Sequence, residues 1–236
     1  MTTVLQLSDS HLQPPGVTLY KQDVNANFVA AIAAAKAYAP FDLVILTGDI
    51  AEDGSIETYQ RIVDMLQYLD YQHLIAIPGN HDVPANMLAV MPMAAMDIGP
   101  WRVLPVNSHW EAHPEGQISD YDLAALQTQL EQREAFTLVA VHHPPHYPCT
   151  KRQCGLSNKE ALLALTGFDS VQLVISGHVH DDYTHRAGST LFSTCPSTCI
   201  GFDHDPAGHG LTSIKPGAII YDLGDDGSIG RRAIYT

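Results

Sequence analysis

Aspartate and histidine recur in this sequence in five short blocks, each just after a run of apolar residues. They are Asp9-Ser10-His11, Thr47-Gly48-Asp49, Gly79-Asn80-His81-Asp82, His142-His143-Pro144-Pro145 and Gly177-His178-Val179-His180. Carboxylates and imidazoles are the usual protein ligands of divalent metals. On an extended chain residues i and i+2 point the same way, so Asp9 can share an ion with His11, and His178 can lie beside His180. Asp49 has two oxygens, enough to bridge two ions, and Gly48 lets the backbone approach closely. Asn80 can offer its carbonyl oxygen, which turns its neighbour His81 to the other side of the chain, towards substrate. By the same alternation at most one of His142 and His143 can face the same centre. Each block alone also reads as a turn with a capping Asp or a solvated His. All five lie at the C-terminal ends of expected strands, where ligand sites of α/β sheets gather, and together they read as one metal site.

The elements that must position these blocks follow from hydrophobic pattern. Val4 to Leu7, Leu43 to Leu46, Leu74 to Ile77, Leu138 to Val141 and Leu173 to Ile175 are short apolar runs bounded by turn residues and read as buried strands. Helical patterns lie between them: Ala-rich Asn25 to Tyr38, Ser55 to Leu69, Asp120 to Glu134, and Asn158 to Leu165. The second carries an apolar stripe of Ile56, Tyr59, Ile62, Val63, Leu66 and Leu69. Ser119 and Ser157 are expected N-caps. Thr190 to Ser193, Ala218 to Leu223 and Ile229 to Ile234 read as further strands, with Asp226-Gly227 as a hairpin turn. The β-α alternation closed by extra strands predicts an α/β fold of layered sheets flanked by helices, in a single domain over 1–236.

Composition narrows the function. The 236 residues carry 26 Asp and Glu, 12 Lys and Arg and 13 His, for a formal net charge of −14. That balance argues against a long nucleic-acid partner or an anionic membrane surface, but not against a small anionic substrate, since bound metal can invert the sign locally. No apolar run reaches the roughly 18 residues that span a bilayer, and Met1 to Asp9 reads straight into a strand, so a cytoplasmic protein without a signal peptide is expected. The cysteines form two close pairs, Cys149/Cys154 and Cys195/Cys199, expected as reduced thiols rather than a metal site.

Taken in order, the five blocks match the pattern D-x-H, G-D, G-N-H-D/E, H, G-H-x-H, and the sequence resembles the calcineurin-like metallophosphoesterases. It is more specifically similar to the class III 3′,5′-cyclic nucleotide phosphodiesterases. The residues that carry this are Gly48-Asp49-Ile50-Ala51-Glu52-Asp53 with Glu57-Thr58-Tyr59-Gln60, Gly116-Gln117-Ile118-Ser119, Cys195-Pro196-Ser197-Thr198-Cys199 with Phe202, and Lys215-Pro216-Gly217 to Asp226-Gly227. The resemblance implies a four-layer αββα sandwich of two mixed β-sheets flanked by helices. It also implies two divalent ions per chain, Mn, Fe, Zn or Co. One would take Asp9, His11 and His180 and the other Asn80, His142 and His178, with Asp49 bridging. Asp49 and His81 would be catalytic, and Asn80 and His81 would contact substrate. The implied activity is hydrolysis of cyclic AMP to 5′-AMP by attack of a metal-bridging hydroxide, in a possible homodimer. The alternatives are a broader phosphodiesterase or phosphatase acting on glycerophosphodiesters or nucleotides, a non-catalytic scaffold of the same fold, and a thiol redox protein using Cys195 and Cys199.

Overall fold

The computed structural model describes residues 1–132, 136–148, 155–202 and 215–236. Among these the chain runs β1 (Thr2–Leu7), α1 (Val24–Lys36), β2 (Phe41–Thr47), α2 (Ile56–Leu66), β3 (Tyr71–Ile77), α3 (Pro84–Leu88), β4 (Met96–Ile98), β5 (Trp101–Val106), α4 (Asp120–Glu131), β6 (Phe136–Val141), α5 (Lys159–Leu165), β7 (Val171–Ser176), β8 (Thr184–Ala187), β9 (Thr190–Thr194), β10 (Gly217–Leu223) and β11 (Ile229–Tyr235). The strands form a five-stranded sheet, β11-β10-β1-β2-β3, and a six-stranded sheet, β4-β5-β6-β7-β9-β8. Both are mixed. The chain β1-β2-β3 is parallel, as is β5-β6-β7-β9, while β10, β11, β4 and β8 add antiparallel neighbours.

The four layers follow from alternation along strands that are buried on both faces. Val4, Leu43, Ile45, Ile75, Leu138, Ala140, Leu173 and Ile175 pack between the sheets, together with Trp101 and Tyr221. Their neighbours Leu5, Leu7, Val44 and Leu46 face outward onto α1 and α2 residues such as Phe28, Ile32, Tyr59 and Ile62. Val139, Val141 and Val174 face outward on the other side, onto Leu126 and Leu130 of α4 and Leu162 of α5. The αββα expectation therefore holds, and continuous apolar runs are what double burial requires.

Local chemistry sets the helix starts. The side chains of Asp23, Ser55 and Ser119 accept from the N–H groups of Ala26, Thr58 and Asp122. Ser157 is not the cap expected of it. The helix begins after Asn158, whose side chain does not cap it either. The Asn158 amide is spent on Ile118 instead, accepting from its N–H at 3.1 Å and donating to its carbonyl at 2.8 Å. Leu69 is buried, but in the turn beyond α2, and Ile56 at the helix start is exposed. The hairpin at Asp226-Gly227 forms, with Gly227 at φ 86° and the Asp226 carboxylate accepting from the Ser228 N–H at 3.0 Å.

The polar side chain of Gln6 is buried between the sheets. Gln6 Nε2 donates to Thr47 Oγ1 and the Ser176 carbonyl, each at 2.9 Å, and its Oε1 accepts from Tyr221 OH at 2.9 Å. These bonds join β1 to β2, to β10 and to the facing sheet. Replacing Gln6 by Leu keeps the volume but removes one hydrogen bond from each of those buried partners, and we expect a loss of about 2–4 kcal/mol in urea unfolding of the metal-free protein. Unchanged stability would show that the bonds contribute nothing net.

Candidate metal centre

All five blocks emerge at C-terminal ends of parallel strands: Asp9 and His11 after β1, Asp49 after β2, Asn80 and His81 after β3, His142 after β6, and His178 and His180 after β7. The first two are zipped together beyond the strands. Asp9 N–H donates to the Gly48 carbonyl at 3.0 Å, His11 N–H to Asp49 at 2.9 Å and Leu12 N–H to Ile50 at 3.0 Å. The backbone here is not extended as the spacing argument assumed. Asp9, His11, Asp49, His178 and His180 have φ of 51°, 42°, 49°, 69° and 54°, in the left-handed region that non-glycine residues seldom occupy. Asp9 and His11 do meet, through this turn rather than through strand alternation. His178 and His180 do not share one side but go to different groups.

The side chains form two poles with a carboxylate between them. At the first pole, metal-binding atoms of Asp9, His11 and His180 lie within 4.8 Å of one another. His11 Nε2 and His180 Nε2 face each other at 3.2 Å, and His180 Nε2 is 3.4 Å from Asp9 Oδ1. At the second pole the nitrogens of His142, His143 and His178 lie within 4.8 Å of one another. Asp49 Oδ2 sits between, 3.6 Å from His11 Nε2 and 3.4 Å from His142 Nε2. Both His142 and His143 thus reach one group, contrary to the alternation argument. Asn80 follows Gly79, where any Cβ would come within 2.7 Å of His142 Nε2, and its Oδ1 is buried without a hydrogen-bond partner.

These donors fit divalent cations. His142 Nδ1 donates to the Thr47 carbonyl at 2.6 Å and His180 Nδ1 to the Ile200 carbonyl at 2.7 Å, so each presents Nε2, the usual metal-binding tautomer. His142 Nε2 and Asn80 Oδ1 have no hydrogen-bond partner, and two imidazole Nε2 atoms confront each other at 3.2 Å. A buried lone pair aimed at another is costly unless a proton or a cation lies between. Charge points the same way. Burial would raise the Asp49 carboxyl, but the His142 imidazole beside it reverses this and holds it well below the carboxylate range. Burial would lower His142, but Asp49 more than compensates and pushes it up to about 9. Without an ion the cluster balances its carboxylates with protons, which a cation displaces.

Two residues that the sequence did not single out hold the site together. The buried Asp82 carboxylate accepts from the N–H groups of Ile50 at 3.0 Å, Ala51 at 3.1 Å and Gly79 at 2.8 Å, and from Tyr59 OH at 2.9 Å. It ties the loop carrying Asp49 to the loop carrying Asn80. Glu52 Oε2 lies 2.7 Å from His11 Nδ1 and 3.0 Å from His81 Nδ1. The Glu52 hydrogen bond pushes His81 up to about 9, and the two imidazoles hold Glu52 down to about 2 against the effect of burial. His81 also donates its backbone N–H to Asp49 Oδ1 at 2.9 Å, while its side chain is 43% exposed. Its ring stands edge-on to that of His11, with centroids 4.8 Å apart. The only signal for Asp82 and Glu52 was membership of the matched blocks. Cys195 and Cys199 are free, buried thiols raised by burial, while Cys149 and Cys154 lie outside the described residues.

Residues 2–182 match the family model of the calcineurin-like phosphoesterases. The chain belongs to that family. Among curated relatives it is 29% identical to the 3′,5′-cyclic adenosine monophosphate phosphodiesterase of Haemophilus influenzae, over 96% of this chain and 87% of that one. It is 32% identical to a probable cyclic nucleotide phosphodiesterase of Synechococcus sp. WH7803, over 98% and 96%. Among solved structures a dimetal phosphatase from Danio rerio shares the fold, with a TM-score of 0.68 at 13% identity, covering 99% of this chain and 98% of that chain. The phosphoesterase family implies divalent ions, and the two poles are candidate places for them. Among the described residues no helix is long and apolar enough to cross a membrane.

Because Asp82 joins the two loops, Asp82→Asn should set an amide N–H₂ against backbone N–H donors. We expect a loss of about 2–4 kcal/mol in urea unfolding of the metal-free phosphoesterase. A stability within error of wild type would remove Asp82 as the tie.

Proposed function

We propose that this phosphoesterase hydrolyses 3′,5′-cyclic nucleotides, cyclic AMP to 5′-AMP, using two divalent ions. Asp9, His11 and His180 would hold one ion and Asn80, His142 and His178 the other, with Asp49 between the two groups. The observation that carries the reading is the position of Asp49 Oδ2, between His11 Nε2 at 3.6 Å and His142 Nε2 at 3.4 Å, which joins two buried ligand groups into one centre. The names of the relatives, cyclic nucleotide phosphodiesterases along nearly the whole chain, support the substrate.

Ions bound there supply Lewis acidity to the phosphoryl oxygens and lower the pKa of water, as two-metal hydrolases require. The protein's part is orientation and proton transfer. Asp49 is fixed by the His81 N–H, so its Oδ2 stays between the poles. Glu52 grips His81 at Nδ1, which leaves Nε2 at the solvent side for substrate. As the P–O3′ bond breaks, His81 donates its proton to the leaving ribose 3′-oxygen. Asn80, beside it, would hold the second ion through its unpartnered Oδ1 and contact the phosphate. No lysine-rich phosphate loop is needed.

The reading is tested with cyclic AMP, cyclic GMP, a glycerophosphodiester and bis-p-nitrophenyl phosphate, each with Mn(II), Fe(II), Zn(II) and Co(II). Wild type should hydrolyse the cyclic nucleotides in a metal-dependent way, and Asp49→Ala should not. No metal-dependent hydrolysis of any ester overturns the enzyme reading. Strong preference for the glycerophosphodiester overturns the substrate and favours a broader phosphodiesterase. His81→Ala should keep two ions per chain by elemental analysis and lose about 10²–10⁴ in kcat, the usual worth of a general acid. Loss of both ions contradicts the role given to His81.

A further inference from the structure

His143 has no place in the ligand set proposed above, yet it is built like the histidines that do. Its side chain is fully buried. Nδ1 lies 2.8 Å from Ser108 Oγ. Nε2 is buried with no hydrogen-bond partner. With Nδ1 donating to the hydroxyl, Nε2 keeps its lone pair. His142 and His180 are built on a similar plan, with Nδ1 on a backbone carbonyl where His143 has a hydroxyl, and Nε2 turned to the cluster. Such outer bonds are what fix a metal-binding imidazole in its tautomer and orientation. The glycine at Gly116 leaves room for the ring, since any side chain there would collide with it.

Position agrees with construction. The His143 ring centroid is 4.5 Å from that of His178 and 4.7 Å from that of His142. Ring nitrogens of the three lie within 4.8 Å of one another. Nδ1 is spent on Ser108, so Nε2 is the atom left to take part. A buried, unpartnered nitrogen beside two imidazoles has no use as packing that an apolar ring would not serve equally well.

We propose that His143 is a further protein ligand of the second ion, through Nε2, so that this ion is held by three imidazoles together with Asn80 and Asp49. This rests on the two-ion reading given above. A nitrogen-rich pole of this kind suits a borderline cation such as Zn²⁺ or Co²⁺ better than an oxygen-seeking one such as Mg²⁺.

The test is Co²⁺ titration of the full chain, followed by calorimetry and visible absorption, on wild type and His143→Phe. Phenylalanine keeps a ring against His142 and His178 but removes the nitrogen. Wild type should take up two ions. The variant should bind the first as wild type does and the second about 100-fold or more weaker, beyond the 10–100-fold that losing an outer-shell partner costs, with an altered absorption band for that step. Equal second-step affinity and an unchanged band would overturn the proposal and leave His143 as packing. Uptake of fewer than two ions by wild type would overturn the two-ion reading itself. Should His143→Phe not fold, judged by melting of the metal-free protein, long-range ¹⁵N–¹H spectra of wild type with Zn²⁺ decide. A His143 Nε2 resonance that moves on loading supports ligation, and one that stays overturns it.

Discussion

The organisation of this molecule depends on two carboxylates, those of Asp9 and Asp49, held almost entirely away from water. An isolated buried carboxylate is too costly to keep, so it must be surrounded by partners. Here the partners are imidazoles from both sheets and backbone N–H groups. His178 N–H donates to Asp9 at 2.9 Å, and His81 N–H donates to Asp49 at 2.9 Å. To bring them so close the chain turns left-handed at Asp9, His11, Asp49, His178 and His180. Such conformations cost about 1–2 kcal/mol per residue and persist only where the surroundings over-determine them. The hydrogen bonds that run from Asp9 to Leu12 beside Gly48 to Ile50 are that over-determination.

The same crowding explains two of the glycines in the blocks. His142 fills the floor of the site. A Cβ on Gly79 would stand 2.7 Å from its Nε2 and one on Gly48 would stand 2.6 Å from its Cγ. Gly48 also has φ of 89°, so its small size and its backbone freedom are both required. These two glycines are therefore the space left for the His142 imidazole, fixed by packing as much as by turn geometry.

Strands buried on both faces were legible because they read as unbroken apolar runs. The elements that escaped lack that signature. β8 is Thr-His-Arg-Ala on an edge, β4 has three residues, and β5 carries Arg102 and Pro105 among its apolar residues. In the site, residue types and spacing marked the blocks, but the alternation rule misdescribed them because it presumes extended backbone. It admitted only one of His142 and His143 to the centre, and the resemblance to the family pattern, not alternation, chose His142. Asp82 and Glu52 were invisible for a different reason. Their partners are 3 to 41 positions away along the chain and meet them only after the loops fold over one another.

The first pole draws on both sheets, and Asp49 links it to the second. Asp9, His11, Asp49 and Asn80 come from the five-stranded sheet, and His142, His143, His178 and His180 from the six-stranded one. Ions bound at the two poles and to Asp49 would therefore staple the two sheets at one end of their shared core, where Gln6 already joins them through polar contacts. Ions that bind only the folded arrangement add their binding free energy to folding. This is how a chain can keep a row of left-handed residues and facing lone pairs at its centre. The strain is local to the loops, while what offsets it acts across the interface between the layers. A site of this kind gains stability from the ions its chemistry needs, so occupancy and folding are coupled through the same imidazoles.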